Sequence, residues 1–483
     1  MLEKKYPFLS QSNITDDMLI SLNRQLEGKT MTKTKKKSIK VVKNKGRRKV
    51  LKTLGSAALL AGASNFLPMP WVRRADASNH LLIGVPSSLS TPYGVADDQD
   101  HLNGTIMAIE EINAKGGVQG RELKTFVPDY DKLSAESTQS AIAACIDKKV
   151  HAISNAFTFA PIPGMDTSAK WKAPYLQGNT QRLATEEFKK NPTKYSHVLQ
   201  TDPSEVNYGW TYPMWLDAMK ATGTWKPVNN KVHIISEQTG YNQTILKAAK
   251  ESLAKSGWEL AGDTQIQYPV NDWGPVIQEL KKVGAGAIMC NHWMAAEEAA
   301  FCKQFRADPV PGALVYVQYG ASQPEFLELG GRAMEGFCWS TVLGIYGDKM
   351  GEDFRKNYLK RFPEFGTYKK NTMGLVYTGN GYDIVNYLAA SWNATKALGL
   401  NDADFKKNCD WIRTNPFRGV CGMMDMNNEY QEALHYPDNG FGNQSDSHET
   451  GMGQLFVQVQ NVQHRIIWPD AYSQSKLEGC DWW

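Results

Sequence analysis

The chain has 483 residues, 42% of them hydrophobic, seven cysteines and a formal net charge of +4. Seventeen Lys and Arg against five Asp and Glu stand before Ser78, so that stretch carries +12 and the remaining 406 residues carry −8. The basic balance therefore belongs to the leader and argues against a nucleic-acid surface in the body of the chain. A body of 406 residues also exceeds one compact core, so two domains are the default.

The first 77 residues read as an export leader. A basic region runs from Lys33 to Arg47-Arg48, and a weakly apolar run of 14 residues follows from Leu54 to Leu67. A membrane-spanning helix needs about 20 apolar residues, so this run is too short to span. With the small-x-small site Ala75-Asp76-Ala77 it makes a secretory signal. Arg47-Arg48-Lys49-Val50-Leu51-Lys52 resembles a twin-arginine export motif. Residues 1–30 add nothing to such a signal, and Met31 is the expected start.

The body opens on Leu81-Leu82-Ile83-Gly84-Val85-Pro86, a short apolar run that predicts a strand buried on both faces. A Ser/Thr/Pro/Gly loop follows, then a helix with Leu102, Ile106, Ile109 and Asn113 on one face, closed by Gly116-Gly117. A second apolar run leads toward Val127, completing a βαβ unit.

The residues Ile83-Gly84, Tyr93-Gly94, Glu110 through Gly117 and Gln119-Gly120-Arg121-Glu122-Leu123 resemble the opening of the type I periplasmic binding proteins. These are the branched-chain amino acid, amide and urea receptors of ABC importers. The likeness in order of elements extends over about 390 residues. It implies an α/β fold of two doubly wound parallel-sheet lobes joined by a three-crossover hinge. Lobe 1 would comprise 78–202 plus 343–450, and lobe 2 would comprise 203–342 plus 451–483.

Further along, Ala135 to Lys148 reads as a helix, Val150 to Ile153 as a strand, Asp166 to Lys172 as a helical turn, and Pro174 to Gln177 and Val198 to Thr201 as strands. Glu205 to Thr222 reads as one helix. Strands at Lys231–Ser236, Ala287–Cys290 and Leu314–Val317 then alternate with helices through Ile245, Leu280 and Phe305. That alternation predicts a second parallel sheet. Tyr377 to Leu398 is a long helix, and Gln454 to Val459 a late strand crossing to the second lobe. Phe417-Arg418-Gly419-Val420-Cys421-Gly422 is similar to the family's hairpin. Residues 437–453 read as an exposed loop. Export permits disulfides, and Cys409 with Cys421 is the best candidate pair, ahead of Cys290 with Cys302.

Ligands of doubly wound sheets bind outside the carboxyl ends of the strands. The candidates there are Tyr93, Phe157, Thr158 and Thr180 in the first lobe, Glu205 near the crossover, and Tyr241, Trp293 and Tyr319 in the second. The resemblance implies that Thr158 and Thr180 hold a carboxylate or amide oxygen, that Tyr93 and Tyr241 wall the site, and that Glu205 lies near the partner of an α-amino group. An aromatic residue at a strand end is also ordinary core. Phe157-Thr158-Phe159 replaces a run of serines in the amino-acid receptors, which adds bulk and leaves room for an amide, a urea or an aromatic acid.

Other chemistries lack their motifs. The sequence has no phosphate-cradling Gly-x-x-x-x-Gly-Lys-Ser/Thr, no Gly-x-Gly-x-x-Gly, no His-Glu-x-x-His and no Gly-x-Ser-x-Gly. Cys290 and His292 lack a second cluster of zinc ligands nearby in sequence. The expectation is a periplasmic solute-binding protein, not an enzyme. It would need no cofactor, be a monomer or weak dimer, and partner a small-molecule ligand and ABC permease subunits. A ligand-sensing receptor of the same fold and an α/β enzyme are the competing readings.

Overall fold

The computed structural model describes residues 80–91, 95–363 and 376–483. The leader, with Met31, Arg47-Arg48 and Ala75-Asp76-Ala77, lies outside those residues, as does Tyr93. Among the described residues, no helix is long and apolar enough to cross a membrane.

Two sheets organise the chain. The first contains β1 (Leu81–Gly84), β2 (Leu123–Phe126), β3 (Ala152–Asn155), β4 (Tyr175–Gln177) and β5 (Val198–Gln200), all parallel, in the order β2-β1-β3-β4-β5. Parallel strands need crossover connections, here supplied by α1 (Val95–Ala114), α2 (Ala135–Asp147), α3 (Pro161–Ser168) and α4 (Arg182–Lys190). The side chain of Ser134 caps α2 by accepting a hydrogen bond from the Ser137 N–H.

The second sheet begins with β6 (Lys231–Glu237), β7 (Glu259–Ile266), β8 (Ala287–Asn291), β9 (Leu314–Val317) and β10 (Cys338–Thr341). These five pair in parallel. Between β5 and β6 run α5 (Val206–Trp210) and α6 (Tyr212–Ala221), two helices where the sequence suggested one. They meet at Thr211, ahead of Pro213, which has no N–H for a continuing helix and suits a first turn. The crossovers in this sheet are α7 (Gly240–Leu253), α8 (Gly274–Val283), α9 (Ala295–Ala307) and α10 (Pro324–Gly330).

After β10 the chain returns to the first lobe through α11 (Lys349–Arg361), α12 (Tyr377–Thr395) and α13 (Asp402–Thr414), with a hairpin of β11 (Phe417–Gly419) and β12 (Gly422–Met424). Helix α12 lies against α1 at very short range. A Cβ on Gly104 would stand 1.9 Å from the Thr378 carbonyl oxygen, and one on Gly381 would stand 2.1 Å from that of His101. Glycine at both positions is what allows the approach.

Short strands β13 (His435–Tyr436) and β14 (Met452–Gly453) bracket the 437–453 segment. That segment is only partly exposed: Phe441 stacks on Trp210 at 5.1 Å, and Ser445 is buried. Of the last strands, β15 (Leu455–Gln460) joins the second sheet antiparallel to β10, and β16 (Gln463–Trp468) pairs antiparallel to β15 at the edge. This sheet is therefore parallel only in part. The chain passes between the two sheets three times, after β5, after β10 and before β15.

The expected disulfide does not form: all seven cysteines are free. Cys409 lies on the buried face of α13, and Cys421 sits between β11 and β12 against Gly379 of α12. Both behave as small apolar side chains. Burial raises the Cys409 thiol pKa to about 12 and pushes that of Cys421 up as well.

Candidate functional site

The carboxyl ends of β3 and β4 in the first sheet, and of β6, β8 and β9 in the second, converge on one cavity. The first-sheet side supplies Phe157, Phe159, Asn179, Thr180 and Gln181; the other supplies Tyr241, Trp293, Met294, Tyr319 and Gln323. Tyr208 of α5 and Tyr377 of α12 complete the wall. The cavity volume is about 90 Å³.

Five of the sequence candidates line this cavity: Phe157, Thr180, Tyr241, Trp293 and Tyr319. Phe157 stacks on Tyr377 at 5.5 Å and meets Phe159 edge-on at 5.6 Å. Phe159 in turn meets Trp293 from the other lobe at 5.5 Å. The Tyr241 hydroxyl accepts from Gln318 Nε2 at 3.4 Å. Tyr319 donates its hydroxyl hydrogen to Asp97 Oδ1 at 2.9 Å, a hydrogen bond between a turn after β9 and the first turn of α1. Thr180 holds a left-handed φ of 51°, unusual for a β-branched residue, and its carbonyl accepts from the Glu205 N–H at 2.6 Å.

Thr158 and Glu205 do not line the cavity. Thr158 is fully buried behind the wall: its N–H donates to Asn179 Oδ1 at 2.8 Å, and its hydroxyl donates to the Lys132 carbonyl at 3.1 Å. That hydroxyl is spent on the loop. Glu205 turns its carboxylate away, and Oε2 accepts from the Arg182 N–H at 2.6 Å. Burial raises its pKa to about 8.

The sequence reading missed Tyr208 and Tyr377, which reach the cavity from helices and carry no strand-end signal. Asn179 stood beside Thr180 in a loop already singled out. It also missed the charges behind the wall. Lys132 and Asp98 form a fully buried ion pair at 2.9 Å, and Lys132 Nζ lies 3.6 Å from the Phe157 ring centre. Asp97 is buried beside them, and burial outweighs the Lys132 charge to raise its pKa to about 7.

Among the described residues no group of three His, Cys, Asp or Glu side chains is placed to hold an ion. His292 Nδ1 instead accepts from the Trp293 and Met294 N–H groups at 2.8 and 3.1 Å.

Comparison with known proteins agrees with this geometry. A family model described as periplasmic binding protein matches residues 81–436. A protein from Silicibacter pomeroyi, assigned as a branched-chain amino acid ABC transporter, is 26% identical with a TM-score of 0.76, covering 84% of this chain and all of that one. The Streptococcus pneumoniae branched-chain amino acid substrate-binding protein in complex with isoleucine is 16% identical with a TM-score of 0.60, over 80% of this chain and 98% of that one. An R. palustris ABC transporter solute-binding protein in complex with benzoate is 13% identical with a TM-score of 0.60, over 83% of this chain and all of that one. A comparison with curated proteins finds no match. The matched stretch spans most of the chain, with all of the first sheet and the five parallel strands of the second: the chain belongs to the periplasmic binding protein family.

Proposed function

We propose that this chain is an exported solute-binding protein that captures one small molecule between its lobes and delivers it to an ABC permease, without making or breaking a bond. The observation that carries this is the cavity walled from both sheets at their strand ends. A guest there is buried by closure of the lobes, and the three chain crossings provide a hinge. The Tyr319–Asp97 hydrogen bond and the Phe159–Trp293 contact then hold the lobes closed.

In this reading residues 78–202 with 343–450 form one lobe, and 203–342 with 451–483 the other. Phe157, Thr180, Tyr241, Trp293 and Tyr319 touch the guest, and Thr158 and Glu205 support the loop that carries Thr180. The leader directs export to the periplasm by the twin-arginine route. Candidate guests are an amino acid, a short amide, urea or a small aromatic acid. Calorimetric titration of the purified exported protein with members of these classes tests the reading. Saturable one-to-one binding with the molecule recovered unchanged is expected. Conversion of the bound molecule into a product contradicts it.

A further inference from the structure

We propose that the guest is a compact organic cation: an N-alkylated ammonium compound with a carbonyl or carboxylate oxygen at its other end. The inference rests on the cavity being the capture site and narrows what it captures.

The first argument is the wall. Aromatic rings from both sides line the space, among them Phe159, Tyr208, Tyr241, Trp293, Tyr319 and Tyr377, and among the described residues no Lys, Arg, His, Asp or Glu lines it. Aromatic faces attract ammonium groups through the ring quadrupole, most strongly when water is excluded. A quaternary ammonium carries no N–H and so needs no hydrogen-bond acceptor.

The second argument is the charge behind the wall. Five buried carboxylates stand there: Asp97, Asp98, Asp202, Glu205 and Glu432. Two cations face them. Lys132 is paired to Asp98 at 2.9 Å, and Arg182 to Glu432 at 3.1 Å. Asp97, Asp202 and Glu205 are left in excess. Asp97 reaches the cavity through Tyr319, Glu205 lies within electrostatic range of Tyr241, and Asp202 lies within that of Tyr208 and Tyr377. One oxygen of Asp97 has no hydrogen-bond partner. Burial raises the pKa of Asp97, Asp202 and Glu205, outweighing Lys132 at Asp97 and Arg182 at Glu205. A cation in the cavity would favour their ionised forms.

The third argument fixes the other end. Asn179 is 1% exposed and lines the cavity. Its Oδ1 accepts from the Thr158 N–H, which orients the amide and leaves Nδ2 as a buried donor with no partner. A buried donor left unmet is costly, and a carbonyl or carboxylate oxygen on the guest would satisfy it.

The test uses isosteres that differ only in charge. Glycine betaine is compared with 3,3-dimethylbutanoate, and acetylcholine with 3,3-dimethylbutyl acetate, by calorimetric titration of the purified exported protein. The proposal expects at least one ammonium compound to bind 100-fold or more tighter than its carbon isostere. It also expects Asp97→Asn to narrow that ratio at least fivefold while circular dichroism stays unchanged. Equal or tighter binding of both isosteres overturns it. So does preferential binding of isoleucine, urea or benzoate that is lost in Tyr241→Ala; capture by this cavity would then stand and only the cation would fail. If nothing in either panel binds, both readings fall.

Discussion

Removing one hydroxyl, by Tyr319→Phe, probes lobe closure directly. The ring stays, so the apolar wall of the cavity is preserved. What goes is the 2.9 Å hydrogen bond to Asp97, made between the two lobes. Asp97 is 6% exposed and its other oxygen has no partner, so the variant leaves a buried carboxyl with no hydrogen bond in the closed form. A hydrogen bond to a charged group contributes about 1.5–3 kcal/mol, and an unmet buried one costs a similar amount. Raised toward a pKa of about 7, Asp97 is partly neutral near that pH, which favours the lower end. In the open form water hydrates both groups, so the loss falls on closure alone. Binding coupled to closure should then weaken by about 10-fold, since 1.4 kcal/mol is a factor of ten. Isothermal titration with the co-purifying ligand measures the dissociation constant, and thermal unfolding without ligand checks the fold. A dissociation constant within twofold of the parent's would refute the idea that this bond latches the lobes.

Three other outcomes follow from the same geometry. Tyr241→Ala removes an aromatic wall and should weaken ligand binding by roughly 1–3 kcal/mol; an unchanged dissociation constant takes Tyr241 out of the site. Glu205, with a pKa raised from 4.5 to about 8, holds a proton in the folded state that the unfolded chain releases at lower pH. Its contribution is therefore fully present below about pH 4.5 and is lost as pH rises through 8. Glu205→Gln should accordingly gain on the order of a few kcal/mol relative to the parent between pH 5 and pH 9, read by urea unfolding; parallel profiles for the two proteins would contradict this. Thiol titration of the unfolded, unreduced protein should count seven free thiols, and a count of five would restore a disulfide.

Much of the fold was legible because its strands are short, apolar and buried on both faces. Leu314–Val317 emerges with the same ends from sequence and structure, and β1, β4, β5 and β8 within a residue or two. Strands β7, β10 and β16 were missed; β7 lies at the sheet edge, where Glu259, Gly262, Asp263 and Gln265 break any apolar run. Helices α4, α11 and α13 went unnamed because charged residues crowd their few buried positions, such as Phe188, Phe354 and Phe405.

The site divides in the same way. Residues on loops after strands, such as Tyr241, Trp293 and Tyr319, were placed by a topological rule that needs only strand order. Thr158 and Glu205 sit on such loops as well, but which way a loop side chain turns depends on partners distant in sequence. For Thr158 those partners are Lys132 and Asn179, and for Glu205 the Arg182 amide. The buried charges Asp97, Asp98 and Lys132 were hidden for a related reason: in sequence an acidic pair at a helix start reads as a capping feature, and only the packing buries it.

The most direct measurement is a crystal structure of the protein purified from its native host with whatever molecule it retains. Density for one small molecule among Thr180, Tyr241, Trp293 and Tyr319, touching both lobes, is the expected result. A retained molecule bound elsewhere, or held by one lobe alone with these rings turned aside, would contradict capture between the lobes.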